Sequence, residues 1–303
     1  MKKISSFLIG IVVCNSLAQP LPDRTISEGV ELSLSRIDTG VTSTPEAMIM
    51  KGGRLFTSHH TSHTAFLLKH PKGLFLIDTG VGQKIDEQFY DLPFLIRPFF
   101  KFTKITTVIG ALKKEDPTFD PQSLSGILLT HLHWDHASAI EEFPQVPVYT
   151  TEQEHKAAFK KSGKEVGYFP SQYDSPKIQW EFAKMTNIAY GPFPQSKDLF
   201  GDGSVIIVPM TGHSEGSIGF FLHLKTARYF FVGDIIWTVK QLKQGVQKAY
   251  LASSLVDHSR PVLQGTIELL QRIEKENPDL VIVPTHDLDH NKKHIPHYPK
   301  FVH

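Results

Sequence analysis

The stretch ILLTHLHWDHASA, residues 127–139, sets His131, His133, Asp135 and His136 within six positions, directly after an apolar run. Several titratable groups buried side by side each need a partner, and a metal ion supplies one. The stretch therefore favours folds in which a buried strand ends on a polar, metal-sized site.

Other apolar runs lie at 64–70, 73–78, 126–130, 146–150, 204–210, 218–224, 227–234 and 280–285. They are short and rich in Ile, Val, Leu and Phe, which predicts buried strands. Helical patterns lie between some of them. Thr151 opens TEQEHKAAFKK with Glu154 three residues on, a capping-box arrangement. Ser259 precedes a helix whose Leu263, Ile267, Leu270 and Ile273 share one face, and Asn277-Pro278 ends it. This alternation predicts an α/β layered fold. Four further runs end at Asp78, His213, Asp234 and His286. In α/β sheets ligand sites gather beyond the carboxyl ends of strands, so all these groups can meet in one place.

The N-terminus reads differently. Residues 1–18 have a basic start (Lys2, Lys3), an apolar run from Phe7 to Val13 and the small-residue triplet Ser16-Leu17-Ala18. This predicts a signal peptide cut after Ala18, an exported (periplasmic or secreted) protein, and one domain over 19–303. The run is too short to span a bilayer. The one cysteine, Cys14, lies inside this segment, and Val13 before it argues against acylation there. Any metal site in the mature chain must then use His, Asp and Glu. A formal net charge of +1, with no run of one sign, gives no electrostatic reason to expect nucleic acid or an anionic membrane as partner.

THLHWDH matches the H-x-H-x-D-H motif of the metallo-β-lactamase superfamily, and LIDTG, TGHS, VGD and PTHD stand in that family's order. The resemblance covers about residues 60–290 and implies an αβ/βα sandwich, two mixed sheets between outer helices, with a two-metal site along one edge. It implies that His131, His133 and His213 hold one metal, that Asp135, His136 and His286 hold a second, and that Asp234 bridges them. Asp78 would orient a ligand. All-N/O donors suit zinc, with Mn, Co and Fe left open. Two such ions lower the pKa of a bridging water toward neutral and so supply a hydroxide nucleophile. Asp135 would carry its proton to the leaving alcohol.

Within the family, the absence of a cysteine ligand argues against the commonest β-lactamases. His133 stands where flavodiiron proteins have Glu. The chain resembles the N-acyl homoserine lactone lactonases in TGHSEGS and PTHDLDHNKK, and it also resembles the exported methyl parathion hydrolase-like enzymes. The expected substrate is a small lactone or ester, the alternative an organophosphate triester or aryl ester. Lactonases carry Tyr three residues after the bridging Asp, whereas here Trp237 stands there. It is expected to contact the substrate, as a donor or as an aromatic wall.

Other features read more plainly. His59, His60 and His63 are expected in a polar loop at the rim of the site, and His290, His294, His297 and His303 on a terminal tail. Tyr168, Phe169 and Tyr173 suit pocket wall and plain packing equally. The apolar segment 89–112 fits a core helix, a pocket flap or, if exposed over 93–102, a homodimer contact.

Overall fold

A computed structural model describes residues 19–23, 27–95, 97, 101–160 and 166–303. The segment read as a signal peptide, residues 1–18, lies outside the described residues, as do residues 96 and 98–100 of the apolar segment. Among the described residues, no helix is long and apolar enough to cross a membrane.

The first sheet contains β1 (Ser33–Pro45), β2 (Ser58–His70), β3 (Gly73–Ile77), β4 (Thr103–Lys104), β5 (Gly126–Leu128), β6 (Pro147–Thr150) and β7 (Gln179–Phe182). Its order is β4-β1-β2-β3-β5-β6-β7, antiparallel through β3 and parallel from β3 to β7. The second contains β8 (Lys197–Asp198), β9 (Val205–Pro209), β10 (Ile218–His223), β11 (Arg228–Gly233) and β12 (Leu280–Pro284). Its order is β12-β11-β10-β9-β8, with only β11 and β12 parallel. The helices are α1 (Glu46–Ile49), α2 (Ile85–Gln88), α3 (Val108–Glu115), α4 (Trp134–Ala137), α5 (Glu152–Ala158), α6 (Val239–Gln244), α7 (Tyr250–Val256), α8 (Arg260–Glu276) and α9 (Leu288–His294).

Three apolar layers hold these elements together. Between the sheets, Phe66, Leu68, Ile77 and Leu128 meet Ile207, Phe220, Phe231 and Val283. On the outer face of the first sheet, Ile37, Leu67 and Ile127 receive Val108 and Leu112 of α3. Outside the second sheet, the expected face of α8 packs with Val208, Phe221 and Phe230. The result is the four-layer αβ/βα sandwich, because each sheet buries both faces and so needs a helical layer outside.

Each apolar run noted in the sequence contains a strand, but β1 escaped that reading. SLSRIDTGVTSTP is polar, yet most of its first half is buried. Its polar groups are satisfied locally: Arg36 Nε donates to Ile295 O at 2.9 Å and pairs with Asp38, which accepts from Thr64 Oγ1 at 3.1 Å. The C-terminal segment is therefore anchored, with Leu34 bridged to Val302 and Arg36 to His297. His290 and His294 are half-buried on α9, while His297 and His303 are exposed. The described residues of 89–112 are not one helix. They contain a helical turn at Phe89–Asp91, the edge strand β4 and the start of α3, with exposed residues at 94–95.

Phe66 is fully buried and meets the Phe231 ring edge-on at 4.8 Å between centroids. Truncation leaves a cavity between two sheets that cannot close over it. Phe66→Ala is therefore expected to lose about 3–5 kcal/mol of stability, read from the urea midpoint at unchanged slope.

Candidate metal centre

The centre lies where β3, β5, β9, β11 and β12 end. After β5, residues 129–133 lead into α4, so that His133 precedes the helix and Asp135 and His136 occupy its short length. Trp134 N donates to Gly167 O at 2.8 Å. A Cβ on Gly167 would come within 2.6 Å of the His133 ring, so glycine is what lets the two segments close up. Asp78, just past β3, has φ 53°, a left-handed conformation that Asp tolerates better than most residues.

Four imidazoles are tethered by Nδ1, which turns Nε2 toward the centre. His136 Nδ1 donates to Asp78 Oδ2 at 2.8 Å, and Thr130 N donates to Asp78 Oδ1 at 2.8 Å. His213 Nδ1 donates to Asp257 Oδ1 at 2.7 Å, and His286 Nδ1 to Ser62 O at 2.7 Å. His131 Nδ1 lies 3.0 Å from Thr130 Oγ1. Inside, His131 Nε2 and His213 Nε2 stand 3.1 Å apart. Asp234 Oδ2 is 3.6 Å from His213 Nε2 and 3.1 Å from His286 Nε2, and its Oδ1 is 3.3 Å from His136 Nε2. Asp234 thus sits between the two halves of the cluster.

The seven residues predicted to hold metal, and Asp78, are all buried and brought together, and Trp237 stands half-buried beside them. Ligand-type atoms within 4.8 Å of one another form three groups: His131, His133 and His213; His131, His136 and Asp234; and His63, Asp135 and His286. His63 corrects the sequence reading. It lies on β2, not in a rim loop, and its Nδ1 is 2.8 Å from Asp135 Oδ2. The strand it occupies reads as polar up to Thr64, and nothing in the sequence marked it as buried.

The fit to a metal rests on electrostatics as well as spacing. His136 Nε2 and Asp234 Oδ1 are buried and make no hydrogen bond with the rest of the protein. Burial drives His131 well below its ordinary pKa, and His136, His213 and His133 add to this. Burial, Lys248 and His133 bring His213 down to about 4. Both rings are then neutral near pH 7, with lone pairs free for a cation. Burial would raise Asp135, but His136, His286 and His63 outweigh it and hold the carboxyl well below its usual range. Burial would lower His136 and His286 too, but Asp78, Asp234 and Asp135 outweigh it and raise His136, and Asp234 and Asp135 raise His286, so these two rings must give up a proton when a divalent ion binds beside the ionised carboxylates.

Three supporting residues were not assigned to the site from sequence. Glu154 was read as half of a capping box. Thr151 Oγ1 does accept from Glu154 N at 3.0 Å, but the Glu154 carboxylate turns inward. Its Oε1 accepts from Leu132 N at 2.9 Å and Tyr168 Oη at 3.0 Å, its Oε2 from Ser214 Oγ at 2.6 Å and Gly216 N at 3.1 Å. One carboxylate thereby fastens the loops of His131, His133 and His213. Asp257 and the fully buried Lys248 form the second support, 2.7 Å apart, and Lys248 Nζ also donates to Asp234 O at 2.5 Å. Trp237 lines the cavity, but its indole N–H donates to Asp234 Oδ2 at 2.7 Å. Its single donor is thus engaged with the carboxylate, and only the ring remains for a substrate.

Glu154→Gln keeps one acceptor but sets an amide against donors. Zinc affinity is expected to fall about 10- to 100-fold, read by competition with a chromophoric chelator.

Residues 60–286 match the family described as the metallo-beta-lactamase superfamily. The N-acyl homoserine lactonase AttM of Azorhizobium caulinodans is 24% identical over 237 residues, spanning 74% of this chain and 81% of the relative. The AttM of Agrobacterium fabrum is 27% identical over 175 residues, spanning 56% of this chain and 61% of the relative. A solved N-acyl homoserine lactone hydrolase, with N-hexanoyl-L-homoserine bound at its catalytic metal centre, superimposes with a TM-score of 0.69. That match covers 92% of this chain and 100% of the other at 16% identity, a likeness of fold.

Proposed function

This chain belongs to the metallo-beta-lactamase superfamily of metal-dependent hydrolases, and from that premise we propose that it opens the ring of N-acyl homoserine lactones. The observation that carries the reading is the cavity over the centre, about 330 Å³ in volume. Its floor holds His133, Asp135, His213, Asp234 and His286, while Met48 and Ile49 of α1 and Leu251, Leu255 and Val256 of α7 make an apolar wall. A substrate with a polar ring and an apolar tail matches that division. The names of the AttM relatives support the same substrate class.

In this reading His131, His133 and His213 hold one zinc ion, Asp135, His136 and His286 a second, and Asp234 both. Such ions, when bound, make water nucleophilic near neutral pH and polarise a carbonyl oxygen. The protein's own groups do the rest. Asp78, Asp257 and Ser62 O fix the imidazoles so that no reorientation is needed during reaction. Asp135 Oδ2, backed by His63 Nδ1, takes the proton of the attacking water and returns it to the ring oxygen as the ester C–O bond breaks. The product is an acyl homoserine. Trp237 holds Asp234 through its N–H and offers its ring as a wall. The reading includes export directed by residues 1–18.

The test is acid release from a long-chain N-acyl homoserine lactone by the zinc-loaded protein at neutral pH. A kcat/KM of about 10⁴ M⁻¹s⁻¹ or more is expected, abolished by chelator and restored by zinc. A metal-loaded protein that leaves the lactone intact but cleaves an aryl phosphotriester would replace this reading with the organophosphate one. Trp237→Phe removes the hydrogen bond to Asp234 and keeps the ring. It is expected to lower kcat on the order of tenfold with little change in KM, because a positioning bond is lost and the wall is not.

A further inference from the structure

Large apolar side chains stand in solvent around the mouth of the cavity. Leu55 is 67% exposed, Phe56 102% and Tyr250 75%. Isolated exposed hydrophobes need no explanation, but a cluster at a site entrance does.

These tips are held in place. Leu55 and Phe56 occupy the turn between α1 and β2, where Glu46 N donates to Thr57 O at 2.8 Å and Ala47 N to Arg54 O at 3.2 Å. The same segment is tied to the approach of α7, with Ala249 N donating to Ile49 O at 3.2 Å and Lys51 N to Gln247 O at 3.0 Å. Met48 and Leu251 line the cavity beside them and are themselves partly in solvent. Lys101 also lines the cavity.

The charge on these segments has one sign. Residues 47–58 carry Lys51 and Arg54 and no acid, and Lys101 adds a third base at the cavity. Lys51, Arg54 and Lys101 are exposed. Glu46, the acid at the edge of the first segment, is buried and paired with Lys240. A whole-chain charge of +1 hides this local segregation. A second copy of the chain suits such a rim poorly, because a two-fold contact would set the bases of one copy against those of the other. Anionic headgroups above an apolar interior suit it well.

We propose that this rim docks the protein peripherally on an anionic phospholipid surface. Leu55, Phe56 and Tyr250 enter the interface, and Lys51, Arg54 and Lys101 meet the headgroups. The docking stands on the exposed residues. Only its use, passing a membrane-partitioned acyl lactone straight into the cavity, rests on the lactonase reading.

Cosedimentation of the zinc-loaded full chain with vesicles tests this without any turnover. The parent is expected to pellet with phosphatidylcholine–phosphatidylglycerol vesicles and far less with phosphatidylcholine alone, and to be released by salt. L55S/F56S and, separately, K51S/R54S are each expected to reduce binding on the order of tenfold or more. Both variants carry the same N-terminal segment as the parent and should keep its hydrolysis of a short-chain, freely soluble lactone. No preference for anionic vesicles, or full binding by L55S/F56S, overturns the proposal. So does a parent dimer in analytical ultracentrifugation that L55S/F56S dissociates, since the patch is then a subunit contact. If docking holds and no lactone is opened, the lactonase reading fails alone.

Discussion

The imidazoles of His136, His213 and His286 converge on Asp234 because something outside the cluster holds each of them there. For His136, His213 and His286 the anchor is a hydrogen bond from Nδ1 to Asp78, Asp257 and Ser62 O. This fixes the tautomer and leaves Nε2 facing inward as an acceptor. Packing so many acceptors and carboxylates together is unfavourable without a cation, and the strands that carry them are held by the apolar core between the two sheets. The site therefore depends on rigid strands for its position and on a bound cation for its own electrostatic balance.

The outer supports fall into two independent groups. Glu154 ties the 131–133 loop to the loop of His213 from the α5 side. Lys248 and Asp257 hold His213 and the backbone of Asp234 from the opposite direction, through a buried ion pair. Burial would raise the Asp257 carboxyl, but Lys248 and His213 outweigh it and bring it to about 2, so Asp257 stays ionised across the physiological range. A buried pair of this kind is poor evidence for stability but a good device for fixing a geometry.

Two properties of the surroundings separate substrate recognition from metal chemistry. The wall from α1 and α7 is apolar and lies on one side of the metal-binding floor. The exposed rim continues that apolar character outward and adds bases to it. The metal-binding floor thus comes from strand ends and α4, and the apolar wall and rim from α1, the turn after it and α7.

The sequence alone determined the layered α/β class, most strands, the buried face of α8, and His131, His133, Asp135, His136, His213, Asp234, His286 and Asp78 as one constellation. It could do so because apolar periodicity and strand-end chemistry are local properties, written within a few residues of each other. What only the tertiary structure decided came from elements distant in the chain. β1 is buried although polar, because its partners Ile295 and Thr64 come from elsewhere. His63 reaches Asp135 across 72 positions, and Glu154 turns from a helix cap into a clamp because Ser214 arrives 60 positions later. The direction of the Trp237 indole, toward Asp234 and not toward a substrate, likewise depends on how β11 enters the loop beyond it. A residue's type fixes which bonds it can make; which one it makes depends on the fold that brings its partner within reach.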